Sequence, residues 1–147
     1  AGPHAIIRTS WVFSAHGNNF VKTMLRLGAS RTELTVVNDQ IGGPTSARDI
    51  AAALMRIAEI FRAGQGKSGI YHFAGTPVTS WAGFADAIFS QAKLPVNVIG
   101  IPSSEYPTPA KRPFNSRMDC SDLDAAFGIQ APDWRKSLSG VLQELNR

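Results

Sequence analysis

Short runs rich in β-branched residues alternate along this chain with helical apolar stripes, and that alternation restricts it to an α/β architecture. Ala5-Ile-Ile-Arg-Thr-Ser-Trp-Val-Phe13 reads as a strand leading into a loop, and so short an apolar run suits a buried parallel strand. Phe20, Val21, Met24, Leu25 and Leu27 form the next helical stripe, with Gly28 expected as its C-cap. Leu34–Val37 is a short strand, followed by a turn-rich loop broken at Gly42-Gly43-Pro44. Ser46 with Asp49 resembles a capping box, opening a helix expected to bury Ile50, Leu54, Ile57 and Phe61. Gly69–Ala74 is a second parallel strand. Ser80 then caps a helix whose stripe runs through Trp81, Phe84, Ala85, Ile88, Phe89 and Ala92. Val96–Ile101 is a further strand, closed by Pro102. Ser121 with Asp124 resembles a second capping box, with Leu123 and Phe127 buried and Gly128 as the stop. The last helix starts near Asp133 and carries Trp134, Leu138, Val141, Leu142 and Leu145 on one face.

A chain of 147 residues with 44% hydrophobic content can bury one real core. No apolar run approaches the roughly 18 residues of a membrane span. Ala1-Gly-Pro-His carries no signal-peptide pattern, and the single Cys120 leaves no internal disulfide, which suits a reducing cytoplasm. The formal charge is +4, but Lys and Arg are dispersed, which argues against nucleic acid and for a small anionic ligand. His4, His16 and His72 show no ligand spacing, so no metal site is assigned. Cys120 has no basic cluster to activate it.

Glu105–Arg117 stands apart from the periodic segments. Pro107, Pro109 and Pro113 fix φ and remove backbone donors, which makes this a stiff extended loop. It presents Lys111, Arg112 and Arg117. A guanidinium held on a stiff loop suits capture of phosphate or carboxylate. The competing reading is a solvated linker.

Tyr106-Pro-Thr-Pro-Ala-Lys-Arg-Pro-Phe-Asn-Ser116 resembles the C-terminal signature of the dTDP-4-dehydrorhamnose reductases, extended short-chain dehydrogenase/reductases. Arg8-Thr-Ser-Trp-Val-Phe13, Asn19-Phe-Val-Lys-Thr-Met-Leu-Arg-Leu27, Asp39-Gln-Ile-Gly-Gly-Pro-Thr45, Tyr71-His-Phe-Ala-Gly75, Ser80-Trp81 and Asp133-Trp-Arg135 follow in the family's order and approximate spacing. The resemblance implies an NADPH-dependent oxidoreductase that reduces a keto sugar carried on dTDP, in dTDP-rhamnose biosynthesis for cell-wall polysaccharide. It implies a Rossmann-like fold, with the last parallel strands at about 5–10 and 69–74 followed by a small substrate-binding domain.

Two features of that family are absent. No glycine-rich turn joins a strand to a helix, as a dinucleotide pyrophosphate needs. Neither Tyr71 nor Tyr106 has a lysine four residues on; Gly75 and Ala110 stand there. The resemblance therefore implies that residues 1–147 are the C-terminal half of such a reductase. NADPH would then be bound mainly by the absent N-terminal half, and no catalytic or cofactor-binding residue is assigned. A non-catalytic nucleotide-sugar-binding or regulatory module is the alternative. The implied substrate-side residues are Trp11, to stack on the sugar; Asn19 and Lys22, at a helix N-terminus; Arg112, on the diphosphate; and Asn115 and Ser116, on nucleotide or sugar. Trp11 also suits an ordinary core tryptophan, Asn19 and Lys22 an N-cap and a solvated lysine, and Asn115 and Ser116 turn roles. Lys111 is expected to face solvent. The expected partners are a dTDP-sugar and either the missing half or a second copy, paired through the bare sheet edge at 5–10.

Overall fold

The computed structural model describes residues 2–110 and 112–146. The chain runs through β1 (Ala5–Arg8), β2 (Val12–Phe13), α1 (Phe20–Gly28), β3 (Glu33–Val37), β4 (Ile41–Gly42), β5 (Thr45–Ser46) and α2 (Ala47–Arg62). It continues with β6 (Gly69–His72), β7 (Thr79–Ser80), α3 (Trp81–Ala92), β8 (Asn97–Ile101), a 3-10 turn (Ser103–Glu105), β9 (Asn115–Ser116), α4 (Ser121–Phe127) and α5 (Trp134–Leu145). Pairing is parallel in β1–β6, β2–β5 and β3–β8. A small mixed sheet has the order β7–β4–β9.

The larger core gathers around α3. Phe84, Ala85, Ile88 and Phe89 are each at most 1% exposed, and meet Val21 and Met24 of α1, Leu34 and Val36 of β3, and Trp134 and Leu138 of α5. Phe84 packs edge-on against Trp134 with ring centroids 5.3 Å apart. Burying one such side chain contributes about 1.5–3 kcal/mol. Gly28 does not cap α1 in the expected left-handed way. It is the last helical residue, and Ala29 follows it in right-handed conformation. A Cβ on Gly28 would stand 2.7 Å from Phe89 Cε1, so the glycine permits α1 to approach α3.

The second core lies between α2, β6 and α4, with Ala53, Ile57, Tyr71, Phe73, Leu123 and Phe127 buried together. Leu54 was expected inside but is 46% exposed, because Ala53 and Ile57 hold the face of α2 that meets this core. Among the described residues only one face of the β1–β6 pair is covered. Ile7 and Tyr71 point to the core, while Ile6 and Ile70, directly paired in register, are each 51% exposed. The expected burial of β1 therefore fails on one face, for want of a layer to cover it.

Caps are partly rearranged. Ser46 Oγ accepts the N–H groups of Arg48 and Asp49, as a cap should. Asp49 does not close the box; its carboxylate accepts from Ser137 Oγ of α5 at 2.5 Å. At α4 the expected Ser121 cap is replaced by Asp119, which accepts the Ser121 N–H at 2.9 Å. That backbone N–H is the main cause holding the Asp119 carboxyl below the ordinary aspartate range.

One junction ties these parts together. A Cβ on Gly43 would strike the Gly75 carbonyl, and one on Gly75 would strike the Pro44 carbonyl, so the two backbones pack directly on each other. Thr45 is fully buried between them: Oγ1 donates to the Gly43 carbonyl at 3.0 Å and accepts from Gly75 N–H at 3.1 Å. On the other side the Trp134 indole N–H donates to the Pro77 carbonyl at 2.5 Å.

Gly43→Ala should therefore destabilise the chain by about 1–3 kcal/mol or more through overpacking. Thr45→Val should cost about 1–3 kcal/mol by leaving a buried N–H unpaired. Gly140→Ala lies within α5 with nothing near its would-be Cβ, and should stabilise by about 0.5–1 kcal/mol. Urea denaturation of the three variants checks the order; a neutral Gly43→Ala would refute the close-packed junction.

Candidate functional site

A cavity of about 1110 Å³ opens between α1, β3, the start of α3 and the proline-rich loop. Its helical wall is Phe20, Thr23, Met24 and Leu27, one continuous face of α1. Trp81 closes one end, and Tyr106–Ala110, Arg112 and Phe114 form the loop wall. Arg31, Glu33 and Arg112 are the charged residues described along it, a net positive lining suited to an anion.

Arg112, expected on the diphosphate, is exposed at the cavity on the proline-stiffened loop. Lys111 lies outside the described residues. Trp11 does not line the cavity. It adopts a left-handed backbone with φ 49, and its indole stacks on Trp81, centroids 3.7 Å apart and planes 10° apart. A Cβ on Gly42 would come within 2.7 Å of the Trp11 ring, so the glycine makes room for the indole. Phe20 leans on Trp81 from the cavity side at 4.6 Å. Trp11 thus backs the aromatic wall.

Asn19 and Lys22 do not join the cavity. Asn19 caps α1: its Oδ1 accepts Lys22 N–H at 3.3 Å, and its Nδ2 donates to the Ser14 and His16 carbonyls. Both ends of the amide are committed to backbone. Lys22 follows Phe20 by about 200° around the helix, and lines a separate cavity of about 380 Å³ with Leu25, Leu94 and Leu142. Asn115 and Ser116 form the edge strand β9, in register with Ile41 and Gly42. The Asn115 Oδ1 accepts Arg117 N–H at 3.0 Å, a local turn contact.

Sequence reasoning missed Arg31, Gln40, Ser103, Tyr106 and Phe114 as cavity residues, and placed Phe20 and Trp81 only in helical core stripes. The root of the proline loop is clamped by Asp39, which accepts from the Ser103 hydroxyl at 2.5 Å and the Ser103 N–H at 2.9 Å. That hydroxyl, then that N–H, hold the Asp39 carboxyl below its ordinary range. The spacing of Asp39 and Ser103 carries no sequence signal, since the contact joins separate loops.

The residues present do not fit a dinucleotide. Gly42 lies under Trp11 and Gly43 against Gly75, so neither leaves backbone free to approach a pyrophosphate. Among the described residues no group of His, Cys, Asp and Glu is placed to hold a metal ion, and no helix is long and apolar enough to cross a membrane.

The chain is similar to dTDP-4-dehydrorhamnose reductase of Aggregatibacter actinomycetemcomitans, at 52% identity over 92% of this chain and 49% of that protein. The Escherichia coli K12 dTDP-4-dehydrorhamnose reductase is 38% identical, with 97% of this chain and 50% of that protein covered. Among solved structures, the Clostridium acetobutylicum dTDP-4-dehydrorhamnose reductase superposes with a TM-score of 0.89 at 35% identity, covering 97% of this chain and 49% of that one. The Bacillus anthracis reductase, solved in complex with NADP, gives 0.85 at 38% identity, covering 95% and 48%. The chain thus spans about half the length of the relatives it matches. Residues 2–147 match the family model of the RmlD substrate binding domain, and the chain belongs to that family.

Proposed function

We propose that this chain supplies the sugar-nucleotide pocket of an NADPH-dependent dTDP-4-dehydrorhamnose reductase, a cytoplasmic enzyme that reduces a keto sugar carried on dTDP. The observation that carries the reading is the cavity itself: an aromatic and aliphatic wall faces an arginine held on a proline-stiffened loop. Arg112 binds the diphosphate as a charge-assisted partner. Phe20 and Trp81, backed by Trp11, pack against the apolar faces of nucleoside and sugar.

The part played by these residues is binding and orientation. NADPH supplies the hydride when bound. With no dinucleotide turn and no Tyr-x-x-x-Lys pair in the sequence, its seat and the proton donor belong to a second, dinucleotide-binding half. That half is also the partner suited to the bare sheet face. Ile6 and Ile70 expose an apolar pair on a parallel sheet, and the relatives are twice as long as this chain.

Arg112→Ala should weaken dTDP binding by roughly 1.5–3 kcal/mol, about 10- to 100-fold. Lys22→Ala, on the other side of α1, should leave it within about twofold. Isothermal titration with dTDP measures both, and equal losses would sink the assignment of the cavity. NADPH titrated into the same chain should give no heat of binding; a micromolar dissociation constant, about −8 kcal/mol, would show a dinucleotide seat where none is assigned.

The uncovered sheet should also make the isolated chain self-associate. Sedimentation equilibrium should show species larger than monomer, reduced by the double change Ile6→Lys and Ile70→Lys. A monodisperse wild-type monomer at roughly 100 μM, above the micromolar range of ordinary specific contacts, would count against an adhesive face.

A further inference from the structure

Gln40 is a buried polar side chain to which the pocket as described gives no task. It is 8% exposed, lies between β3 and β4, and lines the cavity. Its Nε2 donates to Ser103 Oγ at 2.9 Å. Ser103 Oγ donates in turn to Asp39 Oδ1 at 2.5 Å. The order of donors follows from chemistry. An ionised carboxylate only accepts, so the Ser103 proton is committed to Asp39. The hydroxyl can then only accept from Gln40. The glutamine must turn its NH2 end to Ser103, which leaves its carbonyl oxygen as the free end. Among the described residues Oε1 takes no hydrogen bond.

We infer that Gln40 is a specificity-determining residue: the Asp39–Ser103–Gln40 relay fixes its carbonyl as an acceptor at the cavity, where it receives the imide N3–H of a thymine or uracil ring. This rests on the sugar-nucleotide reading and adds the residue that reads the base. The surroundings fit a flat heterocycle. The Phe114 carbonyl accepts Ile41 N–H at 2.8 Å, which holds Phe114 next to the Gln40 backbone. Phe114 is 60% exposed and lines the same cavity, as does Tyr106 at 52%. Exposed aromatic faces beside an oriented amide are the combination that stacks a base and reads its pairing edge. A site built to accept one N–H rejects an analogue that lacks it, because its own acceptor is then left unpaired.

The test has two arms, both on the full chain. Without ligand, NMR should show one Gln40 side-chain amide proton protected from exchange in the wild type and neither protected in Ser103→Ala. Two fast-exchanging protons in the wild type would overturn the relay. With ligand, dTDP and N3-methyl-dTDP are titrated into the wild type and Gln40→Met. Methylation should weaken wild-type binding by about tenfold or more. Gln40→Met should weaken dTDP binding to a similar degree, and methylation should then add less than about twofold. If Gln40→Met fails to fold, Ser103→Ala takes its place and should shrink the methylation penalty. A penalty of equal size with and without the glutamine amide overturns the base-reading role. If the wild type shows the protected proton yet binds neither nucleotide, the sugar-nucleotide reading falls, and the base-reading role falls with it.

Discussion

The close approach of two backbones, at Gly43-Pro44 and Gly75, is the constraint on which the rest depends. No side chain larger than hydrogen fits at either glycine. Thr45 converts the approach into a bonded joint by satisfying groups on both strands. The joint lies between the β5–α2 corner and the exit of β6, and Thr76 and Pro77 extend it to the start of α5. It thereby couples the two cores, which share no buried residue. It also fixes Gly42, one residue upstream, as the seat on which Trp11 lies. From Trp11 the order passes by stacking to Trp81, and from Trp81 to the cavity wall. The shape of the binding wall is thus an outcome of backbone packing some distance behind it.

The two sides of the chain differ in completeness. On the cavity side, α1, α3 and α5 enclose a filled core, and the proline loop closes a cavity over it. On the sheet side, α2 and α4 cover one face of β1–β6 and leave Ile6 and Ile70 bare. Parallel sheets of this kind are ordinarily covered on both faces. The contrast matches a chain that spans half of its relatives and lacks a dinucleotide-binding glycine turn.

Much of this was legible in the sequence, and the reasons differ by element. The α3 stripe was plain because its apolar spacing follows the helical period; Phe84, Ala85, Ile88 and Phe89 are buried, while Trp81 and Ala92 at its ends are half-buried. The parallel strands at Ile6 and Ile70 showed as β-branched runs, and Ser46 and Ser80 showed as caps. Gly28 was misread because a glycine ending a helix looks alike whether it supplies a left-handed turn or room for Phe89. The strands β7 and β9, each of two residues, have no periodicity to detect. At the cavity, the exposed place of Arg112 was legible because prolines announce a stiff loop. Asn19 was legible only as an ambiguity; in the structure its side chain caps α1. Gln40 was invisible: its significance comes from Ser103 and Asp39, brought together by the pairing of β3 with β8.

We propose that a dTDP-linked sugar binds in the cavity walled by α1, Trp81 and the proline loop. The three tryptophans make this directly observable, since Trp81 lines that cavity, Trp11 stacks on it, and Trp134 is buried in the core. Titration with dTDP, followed through the three indole N–H signals by NMR, should shift Trp81 and Trp11 in a saturable manner and leave Trp134 in place. A saturable shift that spares Trp81 and Trp11, or no shift at any nucleotide concentration up to the millimolar range of weak binding, would contradict the account.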